Sequence, residues 1–326
     1  MRTFSSALLT SLGLVTILGL AHAQDYPTRP VTVIVPQAAG GANDAIARLT
    51  LQRLSENLKQ QFIVDNRAGA GGNLGTALAA KAPKDGYTLL LTAGSAHTIN
   101  PSLYRGKQGF DPVKDFEPIM LVATAPYVLV ANPKFPVKTV KDVIDQIKPA
   151  PGKFNYASAG NGTLNHLFGE MFKQAAGLDM THIPYKGASA AATDVVGGQI
   201  PLTFGSLPGV MPFVRAGSLT LIATATPARS KLIPDTPTIG ETLPGFGAVS
   251  WYGLFATAGT PKEIIAKIQS EMLKVLASKD VQDRLATQGA EAVTQETNTP
   301  AQLAKLIAED LVKWDKIVKA SKAQID

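Results

Sequence analysis

The sequence predicts an α/β protein of two lobes. Short β-branched runs alternate with helical patterns from Val31 onward. The alternation pauses near Pro126 and then restarts, and the chain ends in a helical tail. Alternation of this kind implies a parallel sheet with right-handed crossovers, and the restart implies a second α/β unit.

The elements follow in order. Residues 31–35 (VTVIV) form a buried strand. Residues 42–59 form a helix with Ile46, Leu49, Leu54 and Leu58 roughly on one face. Strands at 62–64 and 88–92 flank an Ala-rich helix at 73–81, which completes a βαβαβ run. The second unit has strands at 127–131, 154–157, 182–185, 202–204 and 219–226. Its helices lie at 139–148, capped by Thr139, and at 163–176, 188–196 and 211–215. Residues 227–248 are rich in Pro, Thr and Gly. A strand at 250–256 precedes helices at 264–276, 281–288 and 300–319. This pattern divides the chain into a first lobe of 24–124 plus 248–326 and a second lobe of 125–247. The chain crosses between them near 120–125 and 246–253, and the C-terminal helices pack back on the first lobe.

The 326 residues are 45% hydrophobic, enough for two cores. Residues 1–23 stand outside the fold. Arg2 precedes an uncharged apolar stretch over 7–20, and Ala21-His22-Ala23 fits an A-x-A cleavage site, so the mature chain is expected to begin at Gln24 as an exported, periplasmic protein. Zero cysteines exclude disulfides, thiol catalysis and thiolate metal sites. The net charge of +6 falls to +5 once Arg2 is removed. It is spread over solvated helix faces such as Lys262, Lys267, Lys274 and Lys279, with no basic stripe for nucleic acid.

Motifs for catalysis and cofactors are missing: no G-x-S-x-G, H-E-x-x-H or Walker sequence occurs, and no cofactor is expected. The stretch Gly69-Ala70-Gly71-Gly72-Asn73-Leu74-Gly75 departs from a dinucleotide fingerprint, because Leu74 takes its last glycine position. It reads as a tight turn with Asn73 as N-cap. Two other loops are more informative. Pro36–Asp44 and Ala157–His166 each lead from a strand into a helix N-terminus, and both are built of small residues without Lys or Arg. Loops of this kind lie at the carboxyl ends of strands, where open α/β sheets bind ligands. A carboxylate held there would be held by backbone N–H groups and hydroxyls. Either loop alone is equally a plain turn; one per lobe points to a shared cleft.

The chain resembles the Bug-type receptors, the extracytoplasmic solute receptors of tripartite tricarboxylate transporters. The resemblance rests on an ordered series. It runs through Tyr26-Pro27-x-Arg29-Pro30, Pro36-x-Ala38-Ala39-Gly40-Gly41-x-x-Asp44, Val64-Asp65-Asn66-Arg67-x-Gly69-Ala70-Gly71-Gly72-Asn73 and Asp85-Gly86-Tyr87-Thr88-Leu89. Asp115-Phe116-x-Pro118, Tyr156-Ala157-Ser158-Ala159-Gly160, His166-Leu167, Pro184-Tyr185-Lys186-Gly187, Gly197-Gly198-Gln199, Pro237-Thr238 and Trp251-Tyr252-Gly253 continue it. The resemblance implies a type II periplasmic-binding-protein fold, with a hinge and a ligand cleft between two α/β lobes. It also implies a small carboxylate ligand pinched by the two loops. One position departs: the residue after Pro36, commonly aromatic in the family, is Gln37.

The candidate ligand-binding residues are therefore Gln37, Ala39, Gly40, Gly41 and Asp44 in the first loop. Ser158, Ala159, Gly160, Thr163, Asn165 and His166 follow in the second, with Ser95, His97 and Ser206 as cleft-wall groups. Gly41 is expected at positive φ, and the Ser158 and Thr163 hydroxyls as anion donors. Lys186 is the competing anchor. No catalytic or metal residue is assigned. The expected partners are a small carboxylate and the membrane components of the transporter, with the receptor itself a monomer. A sensor of the same fold, and an exported hydrolase or isomerase built on it, remain as alternatives.

Overall fold

A computed structural model describes residues 26–185, 187–294 and 298–321. The expected signal segment and Lys186 lie outside them. In chain order, β1 (Val31–Val35), α1 (Ala42–Leu58), β2 (Phe62–Asn66), α2 (Asn73–Ala80) and β3 (Thr88–Ala93) form the βαβαβ run. A π-helical turn over Ser95–Ile99 continues into α3 (Asn100–Leu103). Then β4 (Phe116–Ala125) passes through Pro126 into β5 (Tyr127–Ala131). The second unit continues with α4 (Val140–Ile147), β6 (Phe154–Ser158), α5 (Leu164–Ala176), β7 (Met180–Pro184), α6 (Ala188–Val196), β8 (Leu202–Ser206), α7 (Leu207–Arg215) and β9 (Thr220–Thr224). The chain returns in β10 (Ser250–Thr257) and closes with α8 (Lys262–Ala277), α9 (Lys279–Thr287), β11 (Glu291–Ala292) and α10 (Pro300–Ser321).

Two sheets result, in the orders β11-β4-β10-β3-β1-β2 and β7-β6-β8-β5-β9. β1 is parallel to β2 and β3, as the alternation predicts. β10 breaks the parallel run. It comes from the other lobe and inserts antiparallel between β3 and β4. The second sheet repeats the device, with β6 parallel to both neighbours and β5 antiparallel to β8 and β9. β1 and β10 are buried on nearly every residue, which is why they read as unbroken apolar runs rather than alternating ones.

The chain crosses between the sheets at Pro126 and again before Ser250, and the two crossings lie side by side. Ala225 N donates to Tyr127 O at 2.7 Å, Ala248 N to Ala225 O at 3.0 Å, and Ser250 pairs with Ala125. This leaves two adjacent extended segments as the seam about which the lobes face each other.

Each sheet is covered on both faces. Val33, Leu91 and Leu254 pack against α1 and α8, while Leu90, Trp251 and Phe255 lie on the other face under Leu303 and Ile307 of α10. In the second lobe Tyr156, Phe168, Phe172 and Phe204 fill one face and Val128, Val130 and Val195 the other. The tail departs from expectation in one respect. α10 does not belong to the first lobe alone: its second half carries Trp314 and Val318 into the second lobe's core. Trp314 sits edge-on to Phe168 at 6.2 Å. A helix of 22 residues is about 33 Å long, enough to span both units.

Candidate functional site

The N-terminus of α1 divides the cleft between the lobes. On one side is a cavity of about 460 Å³ lined by Gln37, Gly41, Ala42, the 68–72 loop, Ser95, Tyr127, Leu164, Ser250 and Tyr252. On the other is one of about 640 Å³, which Gly41 and Ala42 share with Ser206, α7 and the 286–290 turn, with Arg215 on its wall.

The first-lobe loop is shaped by one acidic side chain. The Asp44 carboxylate accepts from Gly40 N at 2.9 Å, Arg48 Nε at 3.0 Å and Asn66 Nδ2 at 3.0 Å. Burial raises its pKa, but these three donors together hold it below the usual carboxylate value. Gly41 is the N-cap of α1 and has no side chain to cap with, so the first-turn N–H groups of Ala42 and Asn43 have no capping acceptor at the cavity wall. Beside them the Asn43 amide bonds to Gln37 Oε1 and, at 3.0 Å, to Leu91 O.

A third loop, not counted among the candidates, completes this wall. Gly71 (φ 66°) and Gly72 (φ 100°) lie in the left-handed region, and a Cβ on Gly72 would stand 3.1 Å from Gln37 Nε2. Gly72, not Asn73, is the N-cap of α2. Asn73 instead accepts from Asn100 Nδ2 at 2.6 Å, which ties the loop to α3.

In the second lobe the 158–166 loop enters α5 with Thr163 as N-cap. Its hydroxyls, however, are already used. Ser158 Oγ lies 2.6 Å from His182 Nε2 and accepts from Gly160 N at 3.0 Å. Thr163 Oγ1 donates to Gly160 O at 2.7 Å and accepts from His166 N at 3.5 Å. The loop's amides are largely used as well, Gly160 N by Ser158 Oγ, Gly162 N by His166 Nδ1 and Thr163 N by Gly160 O. Ala159 and Gly160 are half-exposed but, like Ser158 and Thr163, lie outside both cavity linings, and Leu164 at the first helical position is what this loop brings to the smaller cavity.

Several candidates are corrected by these contacts. His97 is not a wall group: it is sealed at 0% exposure between Phe255, at a ring distance of 4.4 Å, and Phe116, with Nε2 donating to Pro112 O at 2.9 Å. The π turn rotates it away while its neighbour Ser95 lines the cavity. Asn165 is buried and donates to Phe204 O at 2.6 Å. His166 is buried behind the loop, with Nδ1 accepting from Gly162 N at 3.0 Å. Asp44 faces inward, as described, and Ala39 is exposed outside both cavity linings. Ser206 lines the larger cavity. Gly41 has φ −78°, so it is extended rather than left-handed; the left-handed residue is Gly40 at φ 81°. The residues missed are Tyr127, Leu164, Ser250 and Tyr252. Alternation along β10 puts Ser250 and Tyr252 on one side and Trp251 on the other, but does not say which side is the cleft.

Among the described residues no Lys or Arg lines the smaller cavity, and its polar groups are backbone N–H, the amides of Gln37 and Asn43, and the hydroxyls of Ser95, Tyr127, Ser250 and Tyr252. Burial raises both phenol pKa values, that of Tyr252 to about 12, so both rings keep their proton and can donate. Among the described residues no group of three or more His, Cys, Asp or Glu could hold a metal ion. The model of the tripartite tricarboxylate transporter family receptor matches residues 46–322. The chain belongs to this receptor family. BugT of Bordetella pertussis is 35% identical over 309 residues, covering 93% of this chain and 92% of BugT. Among solved structures, a periplasmic transporter is 40% identical at TM-score 0.80 over 92% of this chain and 100% of that one. Adipate-bound Rpa4515 of R. palustris is 33% identical at TM-score 0.81, over 92% and 100%. Malate-bound MatC of Rhodopseudomonas palustris is 33% identical at TM-score 0.76, over 90% and 100%. Family and fold together make this receptor a two-lobed solute-binding protein.

Proposed function

We propose that this receptor captures a small carboxylate in the smaller cavity and delivers it to the membrane components of a tripartite tricarboxylate transporter. The observation that carries the reading is the donor set. An uncapped first turn of α1 and four hydroxyls surround a cavity that no cation lines among the described residues. Such a site suits an anion bound through hydrogen bonds, each worth about 1.5–3 kcal/mol to a charged partner. Adipate and malate in the related structures are ligands of this kind. The protein acts in the periplasm as a monomer after loss of residues 1–23, and it binds without turnover. The nearest approach to a catalytic pair among the described residues, Ser158 with His182, is closed to solvent at Ser158.

Thermal shift and calorimetry against malate, adipate, succinate and monocarboxylates, with sugars and amines as controls, test the reading. A true ligand at 100 times its Kd adds about 2.7 kcal/mol of stability. Stabilisation by a sugar or an amine and by no carboxylate would overturn it. Among the described residues Arg215 offers a specific rival, a salt-bridged anion in the larger cavity. Arg215→Met is expected to leave carboxylate affinity within twofold; a hundredfold loss would move the site across α1.

A further inference from the structure

Behind the second-lobe loop lies a cluster that the binding site itself does not use. The rings of His166 and His182 stack at 3.9 Å with an interplanar angle of 7°, and Tyr156 stacks on the far side of His182 at 5.0 Å. Gly169 makes room for this stack, since a Cβ there would stand 2.1 Å from the Tyr156 ring. The two histidines come from α5 and β7, so the stack joins the helix that the loop enters to the strand beside the one it leaves.

Each ring is bonded to one end of the loop. His166 Nδ1 accepts from Gly162 N at 3.0 Å, and His182 Nε2 meets Ser158 Oγ at 2.6 Å, which in turn accepts from Gly160 N. We propose that the stacked imidazoles of His166 and His182 are the positioning element of the second-lobe loop, fixing the course of the 159–164 backbone and so the place of Leu164 in the cavity wall. The inference rests on the carboxylate reading of the smaller cavity.

The chemistry requires neutral rings. An acceptor Nδ1 on His166 fixes the Nε2–H tautomer, and a protonated ring would set N–H against the Gly162 N–H. Two imidazolium rings 3.9 Å apart would also repel. Burial lowers both pKa values, that of His182 to about 4 with His166 adding to the effect. Glu170 and Lys173 of α5 and Tyr156 of β6 face the pair: Glu170 favours protonation, Lys173 opposes it, and the two are bridged at 2.9 Å. A depressed pKa leaves the loop supported above the titration and unsupported as pH falls through it.

The test does not need the ligand. In ¹⁵N spectra His166 is expected as the Nε2–H tautomer, and the Gly162 amide should be protected from exchange at neutral pH. That protection should fall as the rings titrate, while the Gly40 amide, bonded to Asp44, stays protected to lower pH. His166→Asn places Oδ1 where Nδ1 was; it should keep Gly162 protected and remove the pH dependence. His166→Leu should speed exchange at Gly162 at least tenfold and raise the Kd for succinate, malate or adipate about tenfold, against threefold or less for His166→Asn. An Nδ1–H tautomer, or Gly162 protection that ignores both pH and His166→Leu, overturns the proposal. Should His166→Leu fail to fold, the wild-type titration and the Asn variant still decide it. Should the wild type bind no carboxylate, the carboxylate reading falls while the exchange data judge the clamp separately.

Discussion

At α1 the ligand loop is pinned by a carboxylate, and at α5 the corresponding loop is pinned by two imidazoles. Asp44 gathers Gly40, Arg48 and Asn66 into a charged cross-link that neutral pH does not touch. Ser158 and Gly162 instead lean on uncharged His182 and His166. The difference follows from surroundings. Arg48 is half exposed, so a salt bridge with Asp44 keeps one partner in water. The second loop sits over Tyr156 and Phe168, where a neutral acceptor costs far less to bury than a charge. One loop is therefore held by a group that titrates below the usual carboxylate value, the other by groups that titrate below the usual imidazole value.

The glycines separate the loops most sharply. Gly162 has φ 73°, and a Cβ there would stand 2.2 Å from Leu103 Cδ2, a first-lobe side chain. Gly40 has φ 81° with nothing within 4 Å. Gly162→Ala should cost about 2–4 kcal/mol by urea unfolding, from left-handed strain plus overpacking. Gly40→Ala should cost about 1 kcal/mol, from conformation alone. Equal costs would mean that Leu103 yields and that the lobes do not touch as described.

These contacts mark where the sequence stops being legible. Most of the strands and helices and the restart at Pro126 follow from apolar runs and caps visible in one dimension, whereas β4 is expected only as a crossing near 120–125 and β11 not at all. α7 begins at Leu207, ahead of the expected 211–215, because Pro208 and Pro212 interrupt its signal in the sequence while the first falls in the first turn, where proline is tolerated. The two loops were found because small residues before a helix have one main use in an open sheet. Which side chains reach the cavity is not legible there, because Ser158 meets His182 from 24 residues away and His97 is turned inward by a π turn. Spacing reveals a loop, but the commitments of its hydroxyls are settled by neighbours distant in sequence.

Acid is the next probe of the contrast. His182 and His97 have folded-state pKa values pushed down to about 4, so their contribution is whole above the unfolded value near 6.5. It is lost as pH falls from there to about 4. Asp44, with a lowered pKa, contributes in full above the ordinary carboxylate value and loses that contribution as pH falls below it. Asp44→Asn should cost about 1.5–3 kcal/mol at pH 7, the scale of a hydrogen bond to a charged group. It should leave the fall between pH 6.5 and 4 unchanged in urea midpoints and reduce the fall below it. An Asp44→Asn protein that loses the upper limb instead would couple the two loops, contrary to the separation drawn here.

The smallest structural change should give the clearest functional one. Gly41 is extended at φ −78°, ψ 168°, the conformation an N-cap residue adopts, and the only atom near a Cβ there is Ala38 O at 3.3 Å. Serine fits this geometry, and its hydroxyl would accept from the first-turn N–H groups that glycine leaves open. Gly41→Ser should therefore stabilise the fold by a few tenths of a kcal/mol, the usual margin of Ser over Gly at an N-cap. The same hydroxyl occupies the donors proposed for the ligand, so carboxylate affinity should fall about tenfold, or about 1.4 kcal/mol. The two measurements move in opposite directions only if the α1 N–H groups bind the anion. In the α5 loop, Thr163 already supplies such a cap, and Thr163→Gly should lower stability without raising affinity tenfold. A Gly41→Ser receptor that gains stability and keeps its affinity would remove the α1 terminus from the binding site and leave the hydroxyls of Tyr127, Ser250 and Tyr252 to hold the ligand.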